Sequence, residues 1–238
     1  MRRVLVVTAH PDDVDFGSAG TVAAFTSAGL EVTYCIVTNG EAGGSDRSMS
    51  RAEMAALRQD EQRAAAATVG VTDVRFLGHP DGQVEASRAL RRDISRVIRQ
   101  VTPERVVTQS PERNWDVIYA SHPDHLAAGE AAVCAVYPDA RNPFAHPELL
   151  DDEGLEPWTV PELWVMGPVG SSGPSAGIAV DTTATVQRKV AALLCHKSQI
   201  ADPEGMTERI LTGARAQGEV AGLPEGSSAE LFRVIRIP

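Results

Sequence analysis

Two short segments of this 238-residue chain carry side chains that could bind a metal ion and perform hydrolysis. Residues 10–13 read HPDD and follow the apolar run 4–7, and residues 122–125 read HPDH. Catalytic zinc typically takes three protein ligands from histidine and carboxylate side chains and leaves a fourth position for water. The two tetrads therefore predict a three-ligand metal site, with acid and base groups left over for catalysis.

The spacing within the tetrads favours one set of three ligands. His10 and Asp13 are three positions apart at a predicted strand-to-helix turn, which Pro11 stiffens, so both side chains can be directed at one ion. One histidine of the second tetrad completes the set, and we choose His125, at the start of a predicted helix. Histidine and carboxylate ligands together favour Zn²⁺ and also allow Fe²⁺, Mn²⁺ or Co²⁺.

The other polar residues of the tetrads suit the roles of base and oxyanion donor. The side chain of Asp12 diverges from that of Asp13, so it is left as an unliganded carboxylate in the position of a general base. His122 is available to polarise a carbonyl or stabilise an oxyanion, with Asp124 fixing its tautomer or charge. This constellation suits attack of a metal-activated water on an amide or ester carbonyl.

A third segment, residues 79–82, begins in the same way but reads HPDG and lacks a fourth ligand. An Asp-Gly pair is typical of a turn, so we expect His79 to be structural. Residues 146–148, HPE, are expected to form a turn as well.

Composition narrows the class of protein. The length and the 43% of hydrophobic residues suit one globular domain, residues 1–238, with a full core. The formal net charge of −10 argues against a nucleic-acid partner or an anionic membrane surface, either of which needs a basic face. A local basic pocket for an acidic substrate stays open.

The three cysteines, Cys35, Cys134 and Cys195, are far apart and form no CxxC pair. This spacing predicts reduced core thiols and no disulfide framework. No run reaches the roughly 18 apolar residues that a membrane span needs. We therefore expect a soluble, cytoplasmic protein.

Strand-like and helix-like segments alternate along the chain, which favours βαβ units, a mostly parallel sheet and a Rossmann-like three-layer α/β sandwich. Strands are predicted at residues 4–8, 31–38, 74–77, 105–108, 162–166, 178–181 and 231–237, and helices at 17–28, 51–69, 86–101, 122–136, 182–196 and 203–217. Residues 137–161 are predicted to form an irregular excursion. Ligands bind at the carboxyl ends of parallel strands. If the first and fourth strands are neighbours, the two tetrads meet in one crevice.

The chain resembles the PIG-L/LmbE-type zinc-dependent N-deacetylases. The two tetrads are the specific part of the resemblance. Weaker matches are residues 38–43, Arg58 and Glu61, residues 77–82, the HKSQ segment 196–199 and residues 229–233. The resemblance implies an LmbE-like fold and removal of acetyl groups from N-acetylglucosaminyl substrates, as in mycothiol or bacillithiol biosynthesis.

The same resemblance implies roles for the tetrads that agree with the assignment from spacing. It implies His10, Asp13 and His125 as zinc ligands. It also implies Asp12 as the base and His122 as the residue that stabilises the tetrahedral intermediate. One departure is Val14, where many members have Glu directly after the aspartate pair, and Asp15 is then expected to take over the supporting role of that Glu.

Candidate contacts with a sugar lie outside the tetrads. We expect Glu41 and Arg58 to contact the substrate and Asp81 to hydrogen-bond a sugar hydroxyl. His196 is expected to be a packed, hydrogen-bonded histidine, and Arg47 and Arg113 are loop cations that could bind an acidic group. Specificity is expected to depend on the loop 41–51, the excursion 137–161 and the serine-rich loop near Ser171.

The sequence thus predicts a zinc-dependent hydrolase that deacetylates an N-acetylglucosamine-type small glycoside or glycoconjugate. Two alternatives stay open. One is a metal-dependent hydratase or lyase acting on a small unsaturated dicarboxylate, which would need several Arg or Lys side chains in its pocket. The other is a non-catalytic metal- or sugar-binding protein. A homo-oligomer is compatible with all three.

Overall fold

The computed structural model describes residues 1–44, 47–115, 118–167 and 177–238. Within these ranges one sheet contains seven strands: β1 Arg3–Thr8, β2 Glu31–Thr38, β3 Asp73–His79, β4 Arg105–Thr108, β5 Glu162–Met166, β6 Ile178–Asp181 and β7 Ala229–Arg236. The α-helices are α1 Asp13–Gly17, α2 Ala19–Ser27, α3 Arg51–Thr68, α4 Arg88–Val101, α5 Pro123–Cys134, α6 Pro147–Asp151, α7 Val186–Leu193 and α8 Pro203–Val220. The alternation predicted from the sequence is confirmed.

The strand order β3-β2-β1-β4-β5-β7-β6 places the first and fourth strands side by side. The five strands from β3 to β5 are parallel, and β7 runs antiparallel to both β5 and β6. The chain turns to opposite sides of the sheet after β1 and after β4, which makes their carboxyl ends the switch point where ligands bind in such folds. Both tetrads follow these two strands.

Each face of the sheet packs against its own helices. Alternate residues of β1 point to opposite faces, so Leu5 and Val7 join the core beneath α4 and α5, whereas Val4 and Val6 join the core beneath α2, α3 and α7. Because both faces are buried, residues 4–7 of the strand are all apolar, as expected for a central parallel strand. The result is the predicted three-layer sandwich.

The single helix predicted at residues 17–28 is wrong in one respect, because the structure has two helices with a break at Ser18. The second helix, α2, begins where the Glu230 carboxylate accepts hydrogen bonds from the backbone N–H groups of Gly20 and Thr21, at 3.1 and 2.7 Å. Glu230 comes from β7, so a contact distant in the sequence fixes this helix start.

Three other segments differ in detail. The helix predicted at residues 122–136 ends at Cys134 and continues as a π-helical turn, Ala135–Asp139, and the excursion that follows contains α6. The helix predicted at 182–196 is shorter, Val186–Leu193. The loop near Ser171 lies outside the described residues. No helix in the described part of the chain is long and apolar enough to cross a membrane.

Candidate active site

The two tetrads meet at the carboxyl ends of β1 and β4. His10 and Asp13 lie in the turn from β1 into α1, and His125 lies in the first turn of α5. His125 Nε2 is 3.2 Å from His10 Nδ1 and 3.0 Å from Asp13 Oδ1, and His10 Nδ1 is 3.4 Å from Asp13 Oδ2. Three side chains predicted as ligands thus converge in space, although more than a hundred residues separate the two tetrads.

The orientation of the His10 ring is fixed from its other side. His10 Nε2 lies 3.2 Å from Asp124 Oδ2 and 3.2 Å from Asp81 Oδ1. The Asp124 carboxylate itself accepts hydrogen bonds from the backbone N–H groups of Gly82 and Val84, at 2.7 and 3.2 Å. A proton on Nε2 directed at these carboxylates leaves the lone pair of Nδ1 facing Asp13 and His125. This carboxylate–histidine pairing is the usual support of a metal-binding imidazole.

The spacing of the donor groups is close to that around a tetrahedral ion. Metal–ligand bonds of about 2.0–2.1 Å at tetrahedral angles separate neighbouring ligand atoms by about 3.3 Å. The two imidazole nitrogens are 3.2 Å apart, and they lie 3.0 and 3.4 Å from different oxygens of Asp13. Burial alone lowers the pKa of His10, but the Asp13 and Asp81 carboxylates outweigh burial and raise that pKa to about 11. Negative charge of this kind is what a divalent cation would neutralise.

Two other groups also bring possible ligand atoms within 4.8 Å of one another, His10 with His122 and His125, and His10 with Asp81 and Asp124. His122 Nδ1 accepts a hydrogen bond from the Asp124 backbone, and the Asp81 and Asp124 carboxylates are held by backbone N–H groups on the far side of the His10 ring. The Asp13 carboxylate likewise accepts from the His10 backbone N–H, at 2.6 Å. The ligand set of His10, Asp13 and His125 stays a prediction.

Asp12 lies beside the candidate ligands in an unusual backbone conformation, with φ 97° and ψ −27°. Asp12 Oδ2 is 3.1 Å from Arg58 Nη2, and the Asp12 N–H donates to Gln62 Oε1 at 2.7 Å. Burial and the adjacent Asp13 carboxylate raise the pKa of Asp12 to about 7, although Arg58 acts in the opposite direction. A carboxylate with such a pKa can exchange protons near neutral pH.

His122 is exposed at the N-terminus of α5, and its ring lies 5.1 Å from the His10 ring and 5.3 Å from the His125 ring, between centroids. Its Nδ1 accepts a hydrogen bond of 3.2 Å from the Asp124 backbone N–H. The neutral ring therefore carries its proton on Nε2. Burial and the neighbouring histidines lower the pKa of His122, so this neutral form dominates at neutral pH.

The expected contact between the Asp124 side chain and His122 needs correction. The carboxylate of Asp124 faces His10, and it is the backbone of Asp124 that sets the tautomer of His122. The residue type suits the task, but no local pattern shows which way this side chain points from the first turn of α5.

The substrate contacts expected for Arg58 and Asp81 also differ in the structure. Arg58 is 4% exposed, and its guanidinium donates to the carbonyl oxygens of Pro11 and Gly40 as well as to Asp12. Asp81 is buried, with Oδ2 accepting from the Ala42 N–H at 2.9 Å. Both side chains are held by protein partners, and their contacts with a substrate stay predictions.

Glu41 belongs to the same arrangement. Its Oε1 accepts a hydrogen bond of 3.0 Å from the Asp81 N–H and lies 3.5 Å from Arg51 Nη2. Glu41 and Asp81 thereby join the glycine-rich loop after β2 to the turn after β3. The Glu41 carboxylate holds the wall of the crevice together, and its second oxygen, Oε2, is buried without a hydrogen-bond partner in the described residues.

Three further residues considered from the sequence lie at different distances from the crevice. His196 is fully buried and hydrogen-bonded to Asp15, so it does not face the crevice. Arg113 is exposed on the loop after β4, with Nη1 3.5 Å from the Ser121 carbonyl oxygen, next to His122. Arg47 is exposed. Gln62, which holds Asp12, was not singled out, and its position one helical turn after Arg58 is the signal that could have revealed it.

Comparison with known proteins identifies the family. The profile of the PIG-L family, described as GlcNAc-PI de-N-acetylase, matches residues 5–136, which is more than half of the chain and includes both tetrads. The chain belongs to the PIG-L family. Within this PIG-L protein, the matched region contains β1 to β4 and α5, the elements that position the candidate site.

Individual relatives are deacetylases. The diacetylchitobiose deacetylase of Thermococcus kodakarensis is 30% identical over 208 residues, 87% of this chain and 73% of the relative. The 1D-myo-inositol 2-acetamido-2-deoxy-alpha-D-glucopyranoside deacetylase of Rhodococcus jostii is 30% identical over 261 residues, 91% of this chain and 88% of the relative.

Solved structures confirm the fold. The N,N'-diacetylchitobiose deacetylase of Pyrococcus horikoshii has a TM-score of 0.86 at 29% identity, over 99% of this chain and 84% of its own. The 4-carboxy-2-hydroxymuconate hydratase of Pseudomonas putida has a TM-score of 0.80 at 23% identity, over 100% of this chain and 98% of its own. At that identity the second comparison concerns the fold alone.

Proposed function

We propose that this PIG-L protein is a metal-dependent hydrolase that removes the N-acetyl group from an N-acetylglucosamine-type small glycoside or glycoconjugate. The observation that carries the proposal is the convergence of His10 Nδ1, Asp13 and His125 Nε2 within 3.0 to 3.4 Å, beside an unliganded Asp12 carboxylate. A site that only binds metal has no use for a half-buried carboxylate of raised pKa next to its ligands.

The donor set suits zinc. His10, Asp13 and His125 would hold the ion, and Fe²⁺, Mn²⁺ or Co²⁺ can use the same nitrogen and oxygen donors. When bound, the metal supplies Lewis acidity and lowers the pKa of water. Asp124 and Asp81 would support the site by accepting the Nε2 proton of His10, which keeps Nδ1 available as a donor to the ion.

The protein's own groups account for the proton transfers. The Asp12 carboxylate, held by Arg58 at 3.1 Å, takes a proton from the attacking water and can then deliver it to the nitrogen of the leaving amine. The atoms of the reaction balance. The OH of the attacking water adds to the acetyl carbon, and the other proton of that water goes to the nitrogen of the leaving amine. His122 donates from Nε2 to the carbonyl oxygen as negative charge develops there.

The proposed class of substrate follows from the relatives. The two deacetylases with 30% identity act, by their names, on an N-acetylglucosamine unit linked either to a second sugar or to inositol. The group attached to the sugar therefore differs between relatives that share the acetamido group. We assign the shared part, a 2-acetamido sugar, to this chain. Oligomeric state stays a prediction.

The hydratase alternative gains no specific support. A small dicarboxylate needs cations in the pocket, but Arg58, the cation next to Asp12, is buried, and both of its terminal nitrogens donate to protein oxygens. The similarity to the hydratase of Pseudomonas putida is one of fold, at 23% identity.

The test compares zinc-loaded wild type with the Asp12→Asn variant on a panel of N-acetylglucosaminides, scoring acetate and free amine. Asparagine tolerates the left-handed conformation of residue 12, so the variant should keep its fold and its metal. We expect turnover by wild type and a loss of at least ~10²-fold in the variant. Equal rates would remove Asp12 as the base. No turnover by metal-loaded wild type would count against the deacetylase, and a panel of unsaturated dicarboxylates would follow.

A further inference from the structure

A segment behind the site, with His196 fully buried, is unexplained by the chemistry above. Residues 196–199, HKSQ, follow α7 and do not line the crevice, yet they contact the elements that form it. The Ser198 backbone and hydroxyl donate to the two carboxylate oxygens of Glu61 on α3, at 2.7 and 2.6 Å. This double hydrogen bond locks the segment against α3, and His196 is thereby held at a fixed position.

A chain of hydrogen bonds runs from His196 to the backbone of Asp12. His196 Nε2 is 2.8 Å from Asp15 Oδ2, and the same oxygen accepts from Gln62 Nε2 at 2.9 Å. The other end of the Gln62 amide, Oε1, accepts from the Asp12 N–H at 2.7 Å. His196, Asp15 and Gln62 are each fully buried. Each member is oriented by the next, because an amide that donates to Asp15 must present its oxygen to Asp12.

These hydrogen bonds stabilise the backbone conformation of Asp12. The φ angle of 97° lies in the left-handed region, which a residue with a side chain adopts at a cost of about 1–3 kcal/mol unless its surroundings impose it. Gln62 fixes the N–H of Asp12, and Arg58 fixes both the preceding carbonyl of Pro11 and the carboxylate. With the peptide held on both sides, the carboxylate has one direction in which to point.

Not every polar atom in this series of hydrogen bonds has a partner. Asp15 Oδ1 and His196 Nδ1 are buried without hydrogen-bond partners in the part of the chain that the structure describes. Buried polar atoms left unsatisfied lower stability by about 1–3 kcal/mol each.

We propose that His196 is a positioning residue for Asp12, acting through Asp15 and Gln62 to hold the base in its left-handed conformation. The proposal rests on the function proposed above for its kinetic consequence, but its structural consequence, the conformation of residue 12, is independent of any activity. His196 touches neither the candidate ligands nor the crevice, so its removal should act on the placement of the base and leave substrate affinity unchanged.

Two substitutions separate positioning from mere packing. His196→Leu removes the donor to Asp15, whereas His196→Gln replaces it with an amide N–H that can reach the same oxygen. We expect kcat to fall at least tenfold in the leucine variant with KM changed less than about twofold, because small misplacements of a catalytic group are that costly. The glutamine variant should recover kcat to within about threefold of wild type, with the metal content equal in all proteins.

A matched control is available on the other face of the sheet. His146 is also buried and pairs with a buried aspartate, Asp139, at 3.3 Å, and its neighbours Ala140 and Leu149 belong to the core beneath α4 and α5. His146→Leu should therefore lower stability and leave kcat unchanged. Equal losses of kcat in the two leucine variants would overturn the proposal.

A double-mutant cycle adds a test that a general loss of structure would fail. If His196 acts only through the base, His196→Leu should not lower the residual kcat of the Asp12→Asn variant any further. A further tenfold loss in that background would overturn the proposal. If the leucine variant does not fold, Gln62→Met, which breaks the chain at its middle, is judged by the same criteria.

The crystal structure of the same variant decides the matter without activity. We expect residue 12 to leave the left-handed region, or its carboxylate to become displaced from Arg58, in His196→Leu and not in His146→Leu. An unchanged Asp12 in His196→Leu would overturn the proposal. Should wild type deacetylate nothing, the proposed function would fail, while a displaced Asp12 would still support the role of His196.

Discussion

At the scale of single residues, His122 shows how a backbone contact can define a chemical role. Its Nδ1 is occupied by the Asp124 N–H, so Nε2 carries the proton that can stabilise an oxyanion. We expect His122→Ala to lower kcat by about 10²–10³-fold, the usual effect of removing one oxyanion donor. Because the same Nδ1 caps the N-terminus of α5, the alanine variant should also lose about 0.5–2 kcal/mol in the free energy of unfolding.

Steady-state kinetics with metal analysis checks this prediction. His122→Gln offers a comparison, since its amide can still donate, and it should retain more activity than the alanine variant. Loss of the bound metal in either variant would instead favour the alternative ligand group of His10, His122 and His125.

The role of Arg58 has two interpretations, a contact with the substrate or support of the protein around Asp12. The sequence resemblance suggested a substrate contact, whereas the structure commits the guanidinium to Pro11, Gly40 and Asp12. A lysine has one charged nitrogen and cannot reproduce this fork. Arg58→Lys should therefore lower kcat at least about tenfold, leave KM nearly unchanged and destabilise the fold by about 1.5–3 kcal/mol. Kinetics and urea unfolding check this; a rise in KM at constant kcat would restore the substrate contact.

The types of residue at the site could be predicted from the sequence, but the directions in which their side chains point could not. The spacing within the first tetrad predicts His10 and Asp13 as ligands, because side chains three positions apart in a turn can converge, and the predicted helix start favours His125. The partners of Asp81 and Asp124 depend instead on the turn after β3 folding over α5, where Gly82 donates to Asp124 across 42 positions. No local pattern encodes such an approach.

At the scale of elements, α5 must approach the end of β4 closely to bring His125 to His10. Gly129 allows this, because a Cβ at that position would lie 2.5 Å from the backbone oxygen of Gln109. Gln109 also accepts from the Ala9 N–H through its side chain at 2.9 Å, so the same residue fixes the end of β1. The helix and the two strands thus share one anchoring point.

Gly129→Ala should push α5 away from β4. Because the backbone of Gln109 has little freedom to yield, we expect a loss of about 1–3 kcal/mol in the free energy of unfolding and at least about tenfold weaker zinc binding. Chelator competition and urea unfolding measure the two effects.

Gly213→Ala is the matched control. This glycine lies within α8 with nothing within 4 Å of an added Cβ, so alanine should stabilise the fold by about 0.5–1 kcal/mol and leave zinc affinity unchanged. Similar behaviour of the two variants would contradict the close-packing argument.

The presence of most helices and strands could be predicted from the sequence, whereas the residues at which several of them begin and end could not. The strands β2, β4, β5 and β6 have the predicted bounds, because β-branched and apolar runs flanked by turn residues are local signals. The break at Ser18 was missed, since the carboxylate that caps α2 comes from Glu230, more than 200 positions away.

At the scale of the whole molecule, metal binding and folding are linked. The chain carries a formal net charge of −10, and the carboxylates around His10 concentrate part of it at one place. A divalent cation that binds the native state and not the unfolded chain stabilises by about 2.7 kcal/mol when its free concentration is 100 times its Kd. For a chain of this size, that stabilisation raises Tm by roughly 5–11 °C.

We therefore expect zinc, buffered at a set free concentration, to raise the Tm of the metal-free protein by that amount, and Mg²⁺ to have little effect, because two imidazole donors suit zinc and not magnesium. Asp13→Asn removes the ligand that contacts both histidines, so its Tm should respond weakly to zinc. Differential scanning calorimetry measures all three cases. A full zinc response in Asp13→Asn, or an equal response to Mg²⁺, would show that the ion binds elsewhere, most plainly at the acidic side of His10 formed by Asp81 and Asp124.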